Sequence, residues 1–312
     1  LQGKIKANSQ NMMQMLFNIE NMTFDRIDIT QTNIQLLVAR LDKIHHIVSG
    51  NKLFKLHYFL QDALASSHKT ILSFGGAYSN HLVATAFACK ELHLKSIGIV
   101  RGEKPENLSG TLQQCIDFGM KLYFISREEY KNADDENFNT QLKNTFGDFI
   151  FVPEGGYAPK GAAGASLIMD LPQNKNATHI VTATGTATTL AGLLLNAEKN
   201  QQIISVPVIK NMNDIEERLL FLTGKNNFEN LQIFKDYHFG RYAKKTPGLI
   251  NFMNDFYEKY VVPTDFVYTA KMMFGVMEKI DEGYFQPGST IICLHTGGLQ
   301  GNISLQPGTL IY

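Results

Sequence analysis

The sequence predicts an α/β protein built as two doubly wound domains with parallel sheets, and three observations carry that reading. From residue 55 onward, short β-branched or apolar runs alternate with longer segments of helical period. A Gly/Pro-rich stretch, PEGGYAPKGAAG at 153–164, breaks that rhythm, after which the alternation starts again. The length, 312 residues, exceeds what a single hydrophobic core organises comfortably.

The elements follow in order. KLHYFLQDALASS reads as an amphipathic helix, ILSF as a strand, HLVATAFACKELH as a helix and SIGIV as a strand. SGTLQQCIDFG then reads as a helix, KLYFI as a strand, part of 128–146 as a long helix and DFIFV as a strand. These make one small α/β domain, 56–158. In the second alternation HIVTA, IISVPVI and TIICLH are strands, and TTLAGLLLNAEK, DIEERLLFLTG, PGLINFMNDFYEKY and AKMMFGVMEKIDEG are helices. Residues 1–55 are assigned to this larger domain together with 159–312. The acidic KNADDENFN, 131–139, reads as a solvated loop or helix face.

Composition narrows the function classes. With 29 basic and 29 acidic residues the formal charge is zero, so no global field gathers nucleic acid or an anionic membrane. A small molecule is the expected partner. Three scattered cysteines without a CxxC motif argue against a zinc site or a disulfide framework, and no metal site is expected. No apolar run approaches the roughly 18 residues that span a bilayer. The first residues, LQGKIKANSQNMMQMLFNIENM, lack a basic start, a continuous apolar stretch and a small-residue cleavage site, so the expected location is the cytoplasm.

Four glycine-bearing segments stand out: SGNKLFKL (49–56), SFGGAYSNH (73–81), TATGTATTLAGL (182–193) and LHTGG (294–298). All but the first follow a predicted strand, and ligands of open α/β sheets gather at the carboxyl ends of strands. In TATGTATTLAGL, small residues between a strand and a helix leave backbone N–H groups and threonine hydroxyls to surround an anion at the helix N-terminus. The segment lacks both the Lys of a P-loop and the GxGxxG of a dinucleotide site; it is either a phosphate cup or an ordinary tight turn. Lys52, taken alone, is either a solvated cation or an amine able to attack an aldehyde. Ser79-Asn80 suits either a ligand or a helix N-cap, and Tyr268 suits either a site or the core. His81 and His295 read as structural, since nothing in the sequence places a carboxylate or metal beside them. A candidate amine, a phosphate cup without nucleotide signatures and a Ser-Asn pair behind a Gly-Gly turn together suggest pyridoxal 5'-phosphate.

These segments carry a family resemblance. SGNKLFKLHYFL resembles GGNKxRKLxYL, SFGGAYSNH resembles S(I/F)GGxxSNH, and VYTAKMMFGVMEKIDEGYFQPGSTIICLHTGG resembles VYxGKxMxGxxxxIxxGxF…G…hHTGG, all of the D-cysteine desulfhydrase and 1-aminocyclopropane-1-carboxylate deaminase family. The resemblance runs in unchanged order from about residue 40 and implies the tryptophan-synthase-β-like fold, fold type II of the pyridoxal-phosphate enzymes. It further implies that Lys52 bonds the cofactor and moves the substrate's α-proton, that Asn80 meets the ring hydroxyl, and that Ser79 holds the substrate carboxylate or assists proton transfer. Thr184, Gly185, Thr186, Ala187, Thr188 and Thr189 would form the phosphate loop. Tyr242 and Tyr268 would line the substrate side, where a phenol can relay a proton. Arg241, Ala270 and Leu53-Phe54 depart from the residues usual in the family.

Thr269 sorts the activities. Family deaminases carry Glu there, whose charge would hold a proton on the ring nitrogen and deepen the electron sink that ring opening needs. Thr269 therefore points to β-elimination, and desulfhydrase-like members also have Thr. The expected activity is that of a lyase releasing keto acid, ammonia and sulfide from a small amino acid, D-cysteine among the candidates. 1-Aminocyclopropane-1-carboxylate deaminase is the alternative within the class. A cofactor-binding or phosphate-binding protein without turnover is the alternative outside it. The resemblance also implies a homodimer.

Overall fold

The structure, a computed structural model, describes residues 21–29, 33–45, 48, 50–133, 135–240 and 243–312. Two compact units emerge, one of them Lys52–Gly164, the other Ala165–Tyr312 together with the residues leading up to Asn51. The chain passes between them at Asn51–Lys52 and Gly164–Ala165.

The chain first lays down β1 (Phe24–Ile27) and β2 (Gln35–Ala39) as an antiparallel pair. Next comes the unit Lys52–Gly164. It holds α1 (Lys52–Ala65), β3 (Thr70–Gly75), α2 (Asn80–Glu91), β4 (Lys95–Arg101), α3 (Gly110–Asp117), β5 (Lys121–Ile125), α4 (Glu136–Phe146) and β6 (Ile150–Val152). The sheet order is β5-β4-β3-β6 and every pairing is parallel. β3 and β4 lie in its middle, which explains why both read as near-continuous apolar runs instead of alternating ones. Leu72, Phe74, Ile97 and Ile99 pack there with Tyr130, Leu142 and Phe149.

α5 (Pro159–Ser166) leads into the second unit, followed by β7 (His179–Thr184), α6 (Thr188–Leu195), β8 (Gln202–Pro207), α7 (Ile215–Thr223), β9 (Leu231–Ile233), α8 (Pro247–Tyr260), α9 (Thr269–Asp281) and β10 (Thr290–Leu294). Its sheet runs β1-β2-β10-β7-β8-β9, parallel except for the edge pair β1–β2. β10 is central, and Ile291, Ile292, Cys293 and Leu294 are each wholly buried. α8 shows how local signals set boundaries: the Thr246 hydroxyl accepts from Leu249 N, Pro247 occupies the first turn, and Val261 ends the helix in the left-handed region.

Four details depart from the sequence-based expectation. Lys52 is the first residue of α1 and does not precede the helix. The stretch read as a break contains α5, because Pro159 fits a first helical turn and the small residues after it allow close packing. The helix starting at Thr188 ends at Leu195, short of Lys199. One strand pair in the large sheet is antiparallel.

Candidate active site

In the unit Lys52–Gly164, β3 runs into Gly75-Gly76 and α2 starts five residues later. A Cβ on Gly75 would stand 2.5 Å from Ser79 Oγ, so only glycine lets the turn fold back so tightly. Ser79 is the N-cap: its hydroxyl accepts from Leu82 N at 3.3 Å. Accepting leaves the hydroxyl proton available to a ligand. Asn80 is the first residue of α2 and is half-buried.

Lys52 opens α1 and is half-buried, while Lys55, on the same helix face one turn on, is buried. Burial, and after it the like charge of Lys52, bring the Lys55 amine down to about 7. Burial first, then the charges of Lys55 and Lys52, lower His81 to about 3, so that it is neutral throughout the working pH range. Ser73 Oγ donates to the carbonyl of Val152 at 2.9 Å and lies 3.0 Å from His81 Nε2. With the hydroxyl proton so engaged, Nε2 must carry the hydrogen of that second contact. Lys55 was missed in the sequence. Its signal is a lysine enclosed by Leu53, Phe54 and Leu56, all buried.

In the second unit the candidate residues are neutral groups. Thr184 ends β7 with its hydroxyl 2.8 Å from Ser205 Oγ. At Gly185 a Cβ would lie 3.3 Å from the Tyr268 ring, which places Tyr268 against this turn. The hydroxyls of Thr186 and Thr188 are 3.0 Å apart. Ala187 stands between them in the left-handed region, φ +65°, immediately before α6. A left-handed residue joined to a helix start gathers successive N–H groups into an anion-binding concavity.

Asn51, the residue before Lys52 in the chain, is buried and donates from Nδ2 to Thr189 Oγ1 at 2.7 Å. Its Oδ1 has no hydrogen-bond partner. The peptide beside it is fixed by Gly50, whose φ is +84° and whose Cβ would fall 1.8 Å from the Thr296 carbonyl oxygen. The LHTGG and SGNK segments are thereby in backbone contact.

Thr269, the first residue of α9, is wholly buried. Its hydroxyl donates to Asp265 Oδ1 at 2.8 Å and accepts from Asp265 N at 2.7 Å. Tyr242 and Arg241 lie outside the described residues. His295 does have a carboxylate neighbour, contrary to the sequence reading: Nδ1 is 3.2 Å from Asp42 Oδ1. Asp42 also binds Arg40 in a fork at 2.8 and 2.7 Å. The signal could not be read in advance because it joins residues 42 and 295. Among the described residues no group of His, Cys, Asp or Glu could hold a metal ion, and no helix is long and apolar enough to cross a membrane.

No protein-family model matches the chain. Among curated proteins, it is 30% identical over 273 residues to a Pyrococcus furiosus protein provisionally named 1-aminocyclopropane-1-carboxylate deaminase, covering 81% of this chain and 82% of that one. It is 27% identical over 292 residues to the mitochondrial bifunctional D-cysteine desulfhydrase/1-aminocyclopropane-1-carboxylate deaminase of Arabidopsis thaliana, covering 86% and 73%. Among solved structures, an ACC deaminase homologue superimposes with a TM-score of 0.70 at 24% identity over 93% of this chain and 95% of that one.

Proposed function

The chain belongs to the D-cysteine desulfhydrase/1-aminocyclopropane-1-carboxylate deaminase family of fold type II pyridoxal-phosphate enzymes, and on that footing we propose that it eliminates the β-substituent of a small amino acid, D-cysteine by first choice, to give a keto acid, ammonia and sulfide. It is a pyridoxal-phosphate-dependent lyase. The observation that carries the reading to this chain's own residues is the buried lysine beside Lys52. Lys55 is lowered by burial and by a cation, with no acid among the causes of its shift, and such a group is stabilised by an incoming anion.

The residues fit a phosphorylated pyridine. Within the second unit the turn Thr184–Thr189 supplies N–H groups and hydroxyls suited to a phosphate dianion, and the unpaired Asn51 Oδ1 is a polar atom of the kind a ligand or ordered water satisfies. When bound, the cofactor supplies the electron-withdrawing ring that stabilises charge at the substrate's α-carbon.

Every remaining role belongs to the protein. Lys52 Nζ anchors the cofactor and moves the α-proton. Asn80 binds the ring hydroxyl, Ser79 donates its hydroxyl proton to the substrate carboxylate, and Tyr268 lines the substrate side. Thr269 faces the ring nitrogen with a neutral hydroxyl in place of the deaminases' Glu, and that favours expulsion of a thiolate over opening of a cyclopropane. The buried cysteines Cys89, Cys115 and Cys293 are all unpaired, in keeping with a cytoplasmic protein, and a homodimer completes the reading.

The test is a substrate panel on the cofactor-loaded protein. Sulfide and pyruvate from D-cysteine, with no 2-oxobutyrate from 1-aminocyclopropane-1-carboxylate, is the expected result. The reverse pattern would transfer the chain to the deaminases, and silence towards D- and L-amino acids alike would leave it a binding protein.

A further inference from the structure

Where β7 ends, its neighbour β8 still has an acceptor to satisfy. The two strands pair in register up to Thr184 opposite Pro207, and Val208 N–H donates to the Thr184 carbonyl at 3.0 Å. Continued by one step, a parallel ladder of this register would bring the N–H of Thr186 to the carbonyl of Val208. The chain has turned away by then: Ala187 lies in the left-handed region, φ +65°, and α6 begins at Thr188. Val208 is wholly buried, so water cannot take the missing donor's place. The donor comes from α9 instead. Lys271 Nζ reaches the Val208 carbonyl at 3.1 Å.

That arrangement is costly and specific. Lys271 is itself wholly buried, between the core residues Ala270 and Met272, and an ammonium there gives up its hydration. Burial lowers the amine to about 8, with the charge of Asp265 acting the other way. A methionine would fill similar space without that cost. What methionine lacks is a donor. Near neutral pH the amine is still largely a cation, and its bond to the carbonyl is charge-assisted, roughly twice as strong as the bond a backbone amide would make there.

We propose that Lys271 is a positioning residue for the phosphate turn: its ammonium caps the Val208 carbonyl where Thr186 N–H would otherwise continue the ladder, and so leaves that N–H to the phosphate. This rests on the reading of Thr184–Thr189 as the turn that wraps the phosphate. Without Lys271 the buried carbonyl goes short of a donor, and the nearest remedy is to draw Thr186 back into line with β7. That would undo the left-handed step at Ala187 and close the anion-binding concavity. The expected loss is therefore in contacts to the phosphate and not in those to the ring.

Two measurements test this. The first is amide hydrogen exchange of the cofactor-free wild type, followed by NMR. The Thr186 amide is expected to exchange fast and to become protected when pyridoxal phosphate is added. The second is a pair of dissociation constants, for pyridoxal phosphate and for pyridoxal, which has no phosphate, in wild type and Lys271→Met. The variant is expected to bind pyridoxal phosphate about tenfold more weakly and pyridoxal as the wild type does. A Thr186 amide already protected in the cofactor-free protein overturns the proposal without any variant having to fold. So does an unchanged affinity of Lys271→Met for pyridoxal phosphate, or an equal loss for both ligands, which marks a general structural role. Wild-type protein that takes up no pyridoxal phosphate removes the functional reading itself, and the exchange rate of Thr186 still shows which donor serves Val208.

Discussion

In the unit Lys52–Gly164 the candidate site residues include two lysines, Lys52 and Lys55, beside the neutral Ser79 and Asn80, whereas in the other unit they are neutral hydroxyls and backbone amides, with the neighbouring carboxylate, Asp265, engaged in four hydrogen bonds. The contrast separates two tasks. Bonding an aldehyde and shuttling a proton is the task proposed for the Lys52 amine, and one turn on Lys55 is a second lysine, whose own proton affinity is lowered by burial and then by the charge of Lys52. A loop that wraps a phosphate needs donors at fixed positions and no bulk, and threonine, glycine and a left-handed alanine supply them. On the proposed assignment the first unit supplies the reactive amine and the second the groups that orient the cofactor.

Removing the reactive amine should give the largest effect. Lys52→Ala is expected to lower kcat at least about 10²–10⁴-fold, the range that a positioned proton-transfer group contributes, while stability stays near that of the wild type; steady-state assays and a thermal melt measure the two. Next is the backbone contact that fixes Asn51. Gly50→Ala places a methyl 1.8 Å from the Thr296 carbonyl oxygen at φ +84°, and a cost of about 3 kcal/mol is expected in urea titration. A wild-type-like midpoint would mean that the two segments are not held together as described.

Lys55 sharpens the comparison through pH. Its amine titrates at about 7 when folded against 10.5 when exposed. Between those values the folded chain binds fewer protons than the unfolded one, so the stability of the cofactor-free protein rises as pH increases across that window. Lys55→Met should flatten that rise and weaken cofactor binding, as denaturant titrations at several pH values would show. Smaller still is Ser73→Ala, which takes away the contacts to Val152 and His81 and should cost about 1–2 kcal/mol with cofactor affinity unchanged.

How much of this was legible depended on the range of the interactions involved. β3, its Gly-Gly turn and the cap at Ser79 are local and could be read from eleven consecutive residues. The turn after β7 was legible for the same reason. β9 was not singled out because it has only three residues, too few for any periodicity to show. The hairpin β1–β2 escaped notice because its strands are four and five residues long. α5 was hidden by glycines that serve packing: a Cβ on Gly164 would lie 2.1 Å from the Phe54 carbonyl oxygen.

The pairing of Asp42 with His295 spans almost the whole chain, so nothing in either neighbourhood announces it. Asp265 and Thr269 are four apart and could have been paired on sight. What hides the pair is that a family resemblance marks Thr269 alone and carries no sign of the carboxylate that its hydroxyl meets.

The central claim is that Lys52, and no other lysine, holds the cofactor. It is open to a direct challenge, because burial also lowers Lys55 to about 7 and Lys271 to about 8, and either shift alone would make a plausible nucleophile. Reduction of the cofactor-loaded protein with borohydride, followed by proteolysis and mass spectrometry, fixes the cofactor to the lysine that bears it. The account predicts the label on the peptide containing Lys52, at Lys52 itself; a label at Lys55 or Lys271 would contradict it.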